Sequence, residues 1–270
     1  MQVKVAAIQM VSAPDVAANL ATAERLVAQA AAEGAELALL PEYFCLMGRR
    51  DTDKVDSKEA LGGPIQTYLA ECAHRHRIAI IGGTVPMISP KAGRVLNTCP
   101  VYGPDGSLIA RYDKIHLFGF KRGDEKFDEA ATIVPGRTPV VCDVPVAAGP
   151  ALRVGLSICY DLRFPELYRQ MLPVDLIVVP SAFTYTTGQA HWDLLLRARA
   201  VENQCYVLAA AQGGTHATGR RTWGHSMLVD PWGEVKAVLP EGEGVICGMV
   251  DAARIDEIRT SLPALANRVL

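Results

Sequence analysis

The chain has 270 residues, half of them hydrophobic but only 6% aromatic, and a formal net charge of −2. It carries no block of like charge, which excludes the basic footprint of a nucleic-acid binder, and no apolar run reaches the ~18 residues that span a bilayer. The seven cysteines are scattered, odd in number and without CxxC or Cys/His spacing, so a reducing cytoplasm is expected rather than a disulfide framework or a zinc site.

Strand-length apolar runs alternate with helical patterns along the whole chain. VKVAAIQM reads as a first buried strand, without the h-region and cleavage site of a signal peptide. DVAANLATAERLVAQAAAEG reads as an amphipathic helix with Asp15 near its cap and Gly34 as its stop. ELALLPE is a second buried strand, PIQTYLAECAHRH a helix and RIAIIGGTV a strand again. YGPDGS and VDPWGE have the Pro, Asp and Gly of tight turns and predict hairpins. After VGLSIC a short helix begins near Pro165, then VDLIVVPSA is a strand. GQAHWDLLLRARAVENQ predicts a longer helix and CYVLAAAQ another buried strand. GHSMLVD, EVKAVL and GVICGMVD supply further strands, and AARIDEIRTSL a closing helix. Continuous apolar strands mixed with hairpins predict an α/β protein whose sheets are covered by helices. No linker, repeat or low-complexity stretch divides the chain, so residues 1–270 are expected to form a single domain.

Three apolar runs lead into a reactive side chain. LALLPEYF delivers Glu42, LIARYDKIHLF carries Lys114 and VGLSICYD delivers Cys159. Ligands bind at strand ends in open α/β sheets, and Glu and Lys are costly to bury unless paired. Each residue alone has a plain reading: a core thiol, a solvated loop carboxylate, a surface lysine. Their conjunction points to chemistry. A Cys–His hydrolase would need His116, His191 or His225 beside the thiol, but none comes with a recognisable orienting partner. In a strand, His116 would share a face with Lys114.

LLPEYF, YDKIHLF and SICYDLRFPELYR, in this order, resemble the nitrilase superfamily of carbon–nitrogen hydrolases. SAFTYTTGQAHWDLLLRARAVENQCYVLAAAQ and WGHSMLVDPWGEV resemble its Nit branch, in which deaminated-glutathione amidases and omega-amidases look closest. The resemblance implies a four-layer α-β-β-α sandwich that assembles as a homodimer or higher homo-oligomer. It also implies catalytic roles for Glu42, Lys114, Cys159 and Glu129, a small-molecule amide substrate, and no cofactor or metal. It places Arg163, Phe183 and Thr187 in the substrate pocket. Gly119 is a departure, since relatives often carry an acidic or amide residue there.

Amide hydrolysis through a thioester suits these residues. Cys159 is the expected nucleophile and Glu42 the proton carrier, while Lys114 and the Tyr160 backbone N–H can stabilise an oxyanion. Two carboxylates and one ammonium already leave the site at −1, so Cys159 should rest as a thiol rather than a thiolate. Arg163 offers a guanidinium fork for a substrate carboxylate, unless it is spent in a structural pair with Glu166. Asp161, Glu166 and Arg169 read as scaffold, and Trp192 and Trp232 as packing. An N-carbamoyl-amino-acid hydrolase or a nitrilase would use the same four residues, and an inactive scaffold of the same fold is the alternative from another class.

Overall fold

The computed structural model describes residues 1–123, 125–147 and 149–269. Two mixed sheets organise the chain. In the first the order is Gly244–Asp251, Gln2–Gln9, Leu37–Leu39, Ala79–Ile81, Val95–Tyr102 and Val85–Ile88, and Leu108–Asp113 also pairs with Val95–Tyr102. In the second the order is Val235–Leu239, Ser226–Val229, Tyr206–Ala211, Leu176–Ser181, Leu152–Leu156 and Val140–Val144. The central strands of each sheet run parallel and the flanking strands antiparallel.

The layering follows from strand alternation. Val3, Val5 and Ala7 share a core with Leu176, Val178 and Leu208 of the second sheet. Ala6 and Ile8 point the other way, into a core with Leu26 and Val27 of the helix Val16–Ala32 and Leu69 of the helix Pro64–His76. On the outer side of the second sheet, Gly155 faces Met171 of the helix Pro165–Met171, and Trp192, Leu196 and Ala200 of the helix Tyr185–Asn203 join the same core. The result is the α-β-β-α sandwich expected above. Runs buried on both faces read as continuously apolar for this reason.

Local signals set most boundaries. Asp15 caps its helix by accepting from the Ala18 N–H at 3.0 Å, and Pro64 opens the helix that ends at His76. The hairpins at YGPDGS and VDPWGE form as predicted, the first joining Val95–Tyr102 to Leu108–Asp113 and the second joining Ser226–Val229 to Val235–Leu239. The long helix begins earlier than its apolar pattern, at Tyr185, because the Thr184 hydroxyl accepts from the Thr187 N–H. Two small hairpins had no apolar pattern to reveal them: Gly119–Arg122 with Glu125–Asp128, and Gly213–Thr215 with Arg221–Trp223. Gly119 opens the first of these, and a Cβ there would touch nothing.

Candidate active site

Glu42, Lys114 and Cys159 all lie just past strands that end at the same rim. Glu42 follows Leu37–Leu39, Lys114 directly follows Leu108–Asp113, and Cys159 follows Leu152–Leu156. Two glycines let the chain pack this tightly. A Cβ on Gly83, which has φ +54, would sit 2.2 Å from the Pro41 carbonyl oxygen, and one on Gly136 would sit 2.1 Å from that of Asp113. No side chain fits either gap.

Lys114 is fully buried and bridges two carboxylates. Its Nζ is 2.8 Å from Glu42 Oε1 and lies 3.0 and 2.8 Å from the two oxygens of Glu129. Glu129 also accepts from the Tyr43 hydroxyl at 2.8 Å and the Phe118 N–H at 2.7 Å. Glu42 is held by the Asn97 amide at 3.0 Å and the Ala182 N–H at 3.0 Å. Beneath it, Gln212 donates to the Glu42 carbonyl at 3.1 Å.

The charges settle one another. Burial alone would lower the Lys114 ammonium, but the Glu129 and Glu42 carboxylates hold it well above its ordinary value. Burial would likewise raise Glu129, but the Lys114 charge and the donors around it bring it below the usual carboxylate range. Cys159 goes the other way: burial and the Glu42 carboxylate push its thiol well above normal, against the opposing pull of Lys114. The site is a proton-holding thiol beside a locked ion cluster, in line with the charge count from sequence.

Cys159 is not the last residue of a strand. The strand stops at Leu156, and Cys159 takes a left-handed φ of 50° where it opens a short 3₁₀ turn, Cys159–Arg163. Such a strained bend presents a side chain and the following N–H together. Among the described residues, the Tyr160 N–H has no protein acceptor. Asp161 ties the bend down from within: fully buried, it accepts from the Ile158 N–H at 2.9 Å, the Tyr112 hydroxyl at 2.7 Å and the His116 N–H at 2.9 Å. It is scaffold, as expected.

His116 corrects two expectations. It does have an orienting partner, with Nδ1 2.7 Å from Asp161 Oδ1 and its ring stacked 3.7 Å from that of Phe164. It does not share a face with Lys114 in a strand, because the strand ends at Asp113. Among the described residues no histidine is hydrogen-bonded to the Cys159 thiol.

Cys159, Tyr160, Arg163, Phe183 and Thr187 line one narrow cavity together with Ala182. Arg163 makes no ion pair with Glu166 among the described residues. Its Nη1 lies 3.2 Å from His191 Nδ1, and its guanidinium sits 5.8 Å from the Tyr160 ring centre and 5.5 Å from that of Phe183. Phe183 packs edge-on against the buried Trp192 at 4.8 Å. Thr187 Oγ1 is 2.9 Å from Thr184 Oγ1. Trp232, by contrast, is 59% exposed and packs no core.

Sequence reasoning missed the groups that hold the carboxylates. Asn97 was detectable as a polar residue inside an apolar run, and Tyr43 as the neighbour of Glu42. The backbone donors of Ala182 and Phe118 carry no side-chain signature at all. Among the described residues, no group of three or more His, Cys, Asp and Glu side chains is placed to hold a metal ion.

The carbon–nitrogen hydrolase family matches residues 4–260. A deaminated glutathione amidase of Synechocystis sp. is 40% identical over 269 residues, covering 98% of this chain and 97% of the relative. Omega-amidase NIT2 of Mus musculus is 41% identical over 254 residues, 93% of this chain and 89% of the relative. Among solved structures, Nit3 of Saccharomyces cerevisiae, a member of branch 10 of the nitrilase superfamily, superposes with a TM-score of 0.87 at 31% identity, covering all of this chain and 97% of that one.

Proposed function

The chain belongs to the carbon–nitrogen hydrolase family, and from that premise we propose that it is a cysteine-dependent amidase cleaving the terminal amide of a small carboxylate-bearing substrate. Deaminated glutathione and the omega-amides of dicarboxylic or keto acids are the substrate classes, after the activities in the names of its relatives. The observation that carries this reading is the pairing of a buried Glu42–Lys114–Glu129 cluster with a cavity holding Cys159 and Arg163. Ala182 joins the two, capping Glu42 through its N–H and lining the cavity.

The chemistry runs through Cys159. Its sulfur attacks the amide carbon as Glu42 removes the thiol proton. The oxyanion meets the free Tyr160 N–H and the Lys114 charge. The Lys114 donors are already engaged by carboxylates, so its contribution is short-range charge or the exchange of one of those bonds. Collapse expels the amine, which takes the proton from Glu42, and leaves a thioester. Glu42 then deprotonates water, the water adds to the thioester, and the acid leaves as the thiol re-forms. The resting thiol matters here, because it brings the proton that the leaving amine needs. Arg163 would hold the substrate carboxylate, with its fork free of Glu166 and cushioned by Tyr160 and Phe183.

A scaffold role explains the site less well. A buried ion cluster is an expensive way to stabilise a fold when apolar residues serve as well. A carbamoylase or nitrilase reading would use the same cluster, but the similarity to named amidases favours the amide. For assembly, the helix Tyr185–Asn203 exposes Leu194 and Val201, seven positions apart and so on one face, and Trp232 is exposed nearby in the turn that packs on Val201. A second copy is the occupant proposed for that apolar strip. All seven cysteines are free and no helix among the described residues is long and apolar enough to cross a membrane, which fits a cytoplasmic setting.

Release of ammonia or amine from deaminated glutathione, α-ketoglutaramate, succinamate, an N-carbamoyl amino acid and a nitrile tests the reading. The expected result is turnover of the carboxylate-bearing amides, abolished in Cys159→Ala. Preference for the carbamoyl compound or the nitrile would move the chain elsewhere in its family.

A further inference from the structure

A second, small cavity of about 40 Å³ borders the ion cluster. Tyr43, Met47, Arg50, Asp51, Lys54 and Arg220 wall it, and the Tyr43 hydroxyl donates to Glu129. Two of its cations have no carboxylate partner among the described residues. The Lys54 ammonium reaches only the Thr132 hydroxyl, at 3.3 Å, and lies 5.6 Å from the centre of the Tyr43 ring. Arg220 donates from Nη2 to the Ala182 carbonyl at 3.3 Å, and its Nη1 is 3.8 Å from the Met47 sulfur, while its buried Nε has no acceptor. Arg50 is different, since Asp53 and Asp56 already pair with its guanidinium at 2.8 and 3.4 Å. Asp51 is a carboxylate on the wall, but it is exposed.

Unpaired cations in a partly buried wall are costly, and a bound anion removes that cost. Burial already draws the Lys54 ammonium below its ordinary value despite the pull of Glu129. Position then assigns the anion. Ala182 lines the Cys159 cavity with one side and holds Arg220 with its carbonyl. Ala182 is therefore shared between the cavity that holds Cys159 and Arg163 and the wall that carries Arg220.

We infer that Lys54 and Arg220 form a second carboxylate subsite, which receives an acid group carried by the leaving amine. The preferred substrate is then an extended secondary amide with a carboxylate at each end, rather than a primary amide that releases ammonia. The inference rests on the amidase reading above and on Arg163 taking the acyl-side carboxylate. In acylation the C–N bond breaks and the amine leaves with the Glu42 proton, taking its carboxylate out of this subsite. Hydrolysis of the thioester that remains is independent of it.

Three substrates with one acyl group test this: deaminated glutathione, its C-terminal carboxamide, and α-ketoglutaramate. Wild-type enzyme should favour the free acid over its carboxamide in kcat/KM by roughly tenfold to a hundredfold, the scale of a charge-assisted contact. Lys54→Met and Arg220→Gln should erase that preference, Lys54→Arg should keep most of it, and α-ketoglutaramate should lose less than about threefold, because it never fills the subsite. Deacylation, measured in single turnover, should not change. Equal wild-type rates for acid and carboxamide would overturn the subsite without needing any variant to fold, and so would proportional losses on all three substrates. Both outcomes leave the amidase reading standing. Failure of the wild type to cleave any of the three would overturn that reading, and the subsite with it.

Discussion

At the scale of single residues, the Cys159 thiol departs from what a reactive cysteine is usually thought to need. Many catalytic cysteines are activated by a neighbouring cation that stabilises the thiolate. Here the nearest ammonium is neutralised by two carboxylates, so burial and the Glu42 charge dominate and the proton stays on sulfur. A raised value means less thiolate at neutral pH than in a free thiol. The rate of iodoacetamide alkylation at Cys159 should therefore keep climbing through the ordinary thiol range near pH ~8.5 with no plateau. A plateau at or below neutrality would mean a preformed thiolate and a different partner for the proton.

At the scale of elements, the site depends on where strands stop. Glu42, Lys114, Cys159 and Ala182 each lie within three residues of a strand end, and close backbone approaches hold those ends together. Gly83 is the sharpest case, combining a left-handed φ with a gap that a methyl group cannot enter. Gly83→Ala should lower stability by about 1–3 kcal/mol from backbone strain alone, and the clash with Pro41 should turn the bend that carries Glu42. The measurement is paired: a lowered Tm together with a fall in kcat larger than the fall in folded fraction. A lowered Tm with full activity per folded molecule would show that the bend tolerates the shift.

At the scale of the whole molecule, the sandwich places one helical layer outside each sheet. The helix Tyr185–Asn203 buries Trp192, Leu196 and Ala200 inward while Leu194 and Val201 face out. A paired apolar strip of this kind is normal at the seam between copies. If a second copy covers it, Leu194→Glu should convert the sedimenting species to monomer and leave the circular dichroism spectrum unchanged. Wild-type protein that sediments as a monomer at micromolar concentration would remove the assembly from this face.

Much of this protein was legible in one dimension. Helices, hairpin turns and buried strands announced themselves through period, cap and turn residues, because those signals arise between near neighbours. Glu42, Lys114 and Cys159 were visible as ionisable or nucleophilic residues following apolar runs. The tertiary structure alone decided what each of them meets. The last strand, Gly244–Asp251, pairs with the first, Gln2–Gln9, across nearly the full length of the chain. Arg163 turned to His191 rather than Glu166, and His116 to Asp161. The donors that hold the two carboxylates include backbone groups that no side-chain pattern can reveal. Periodicity shows which face of an element is buried, but partners distant in sequence are chosen only when the sheets and helices pack.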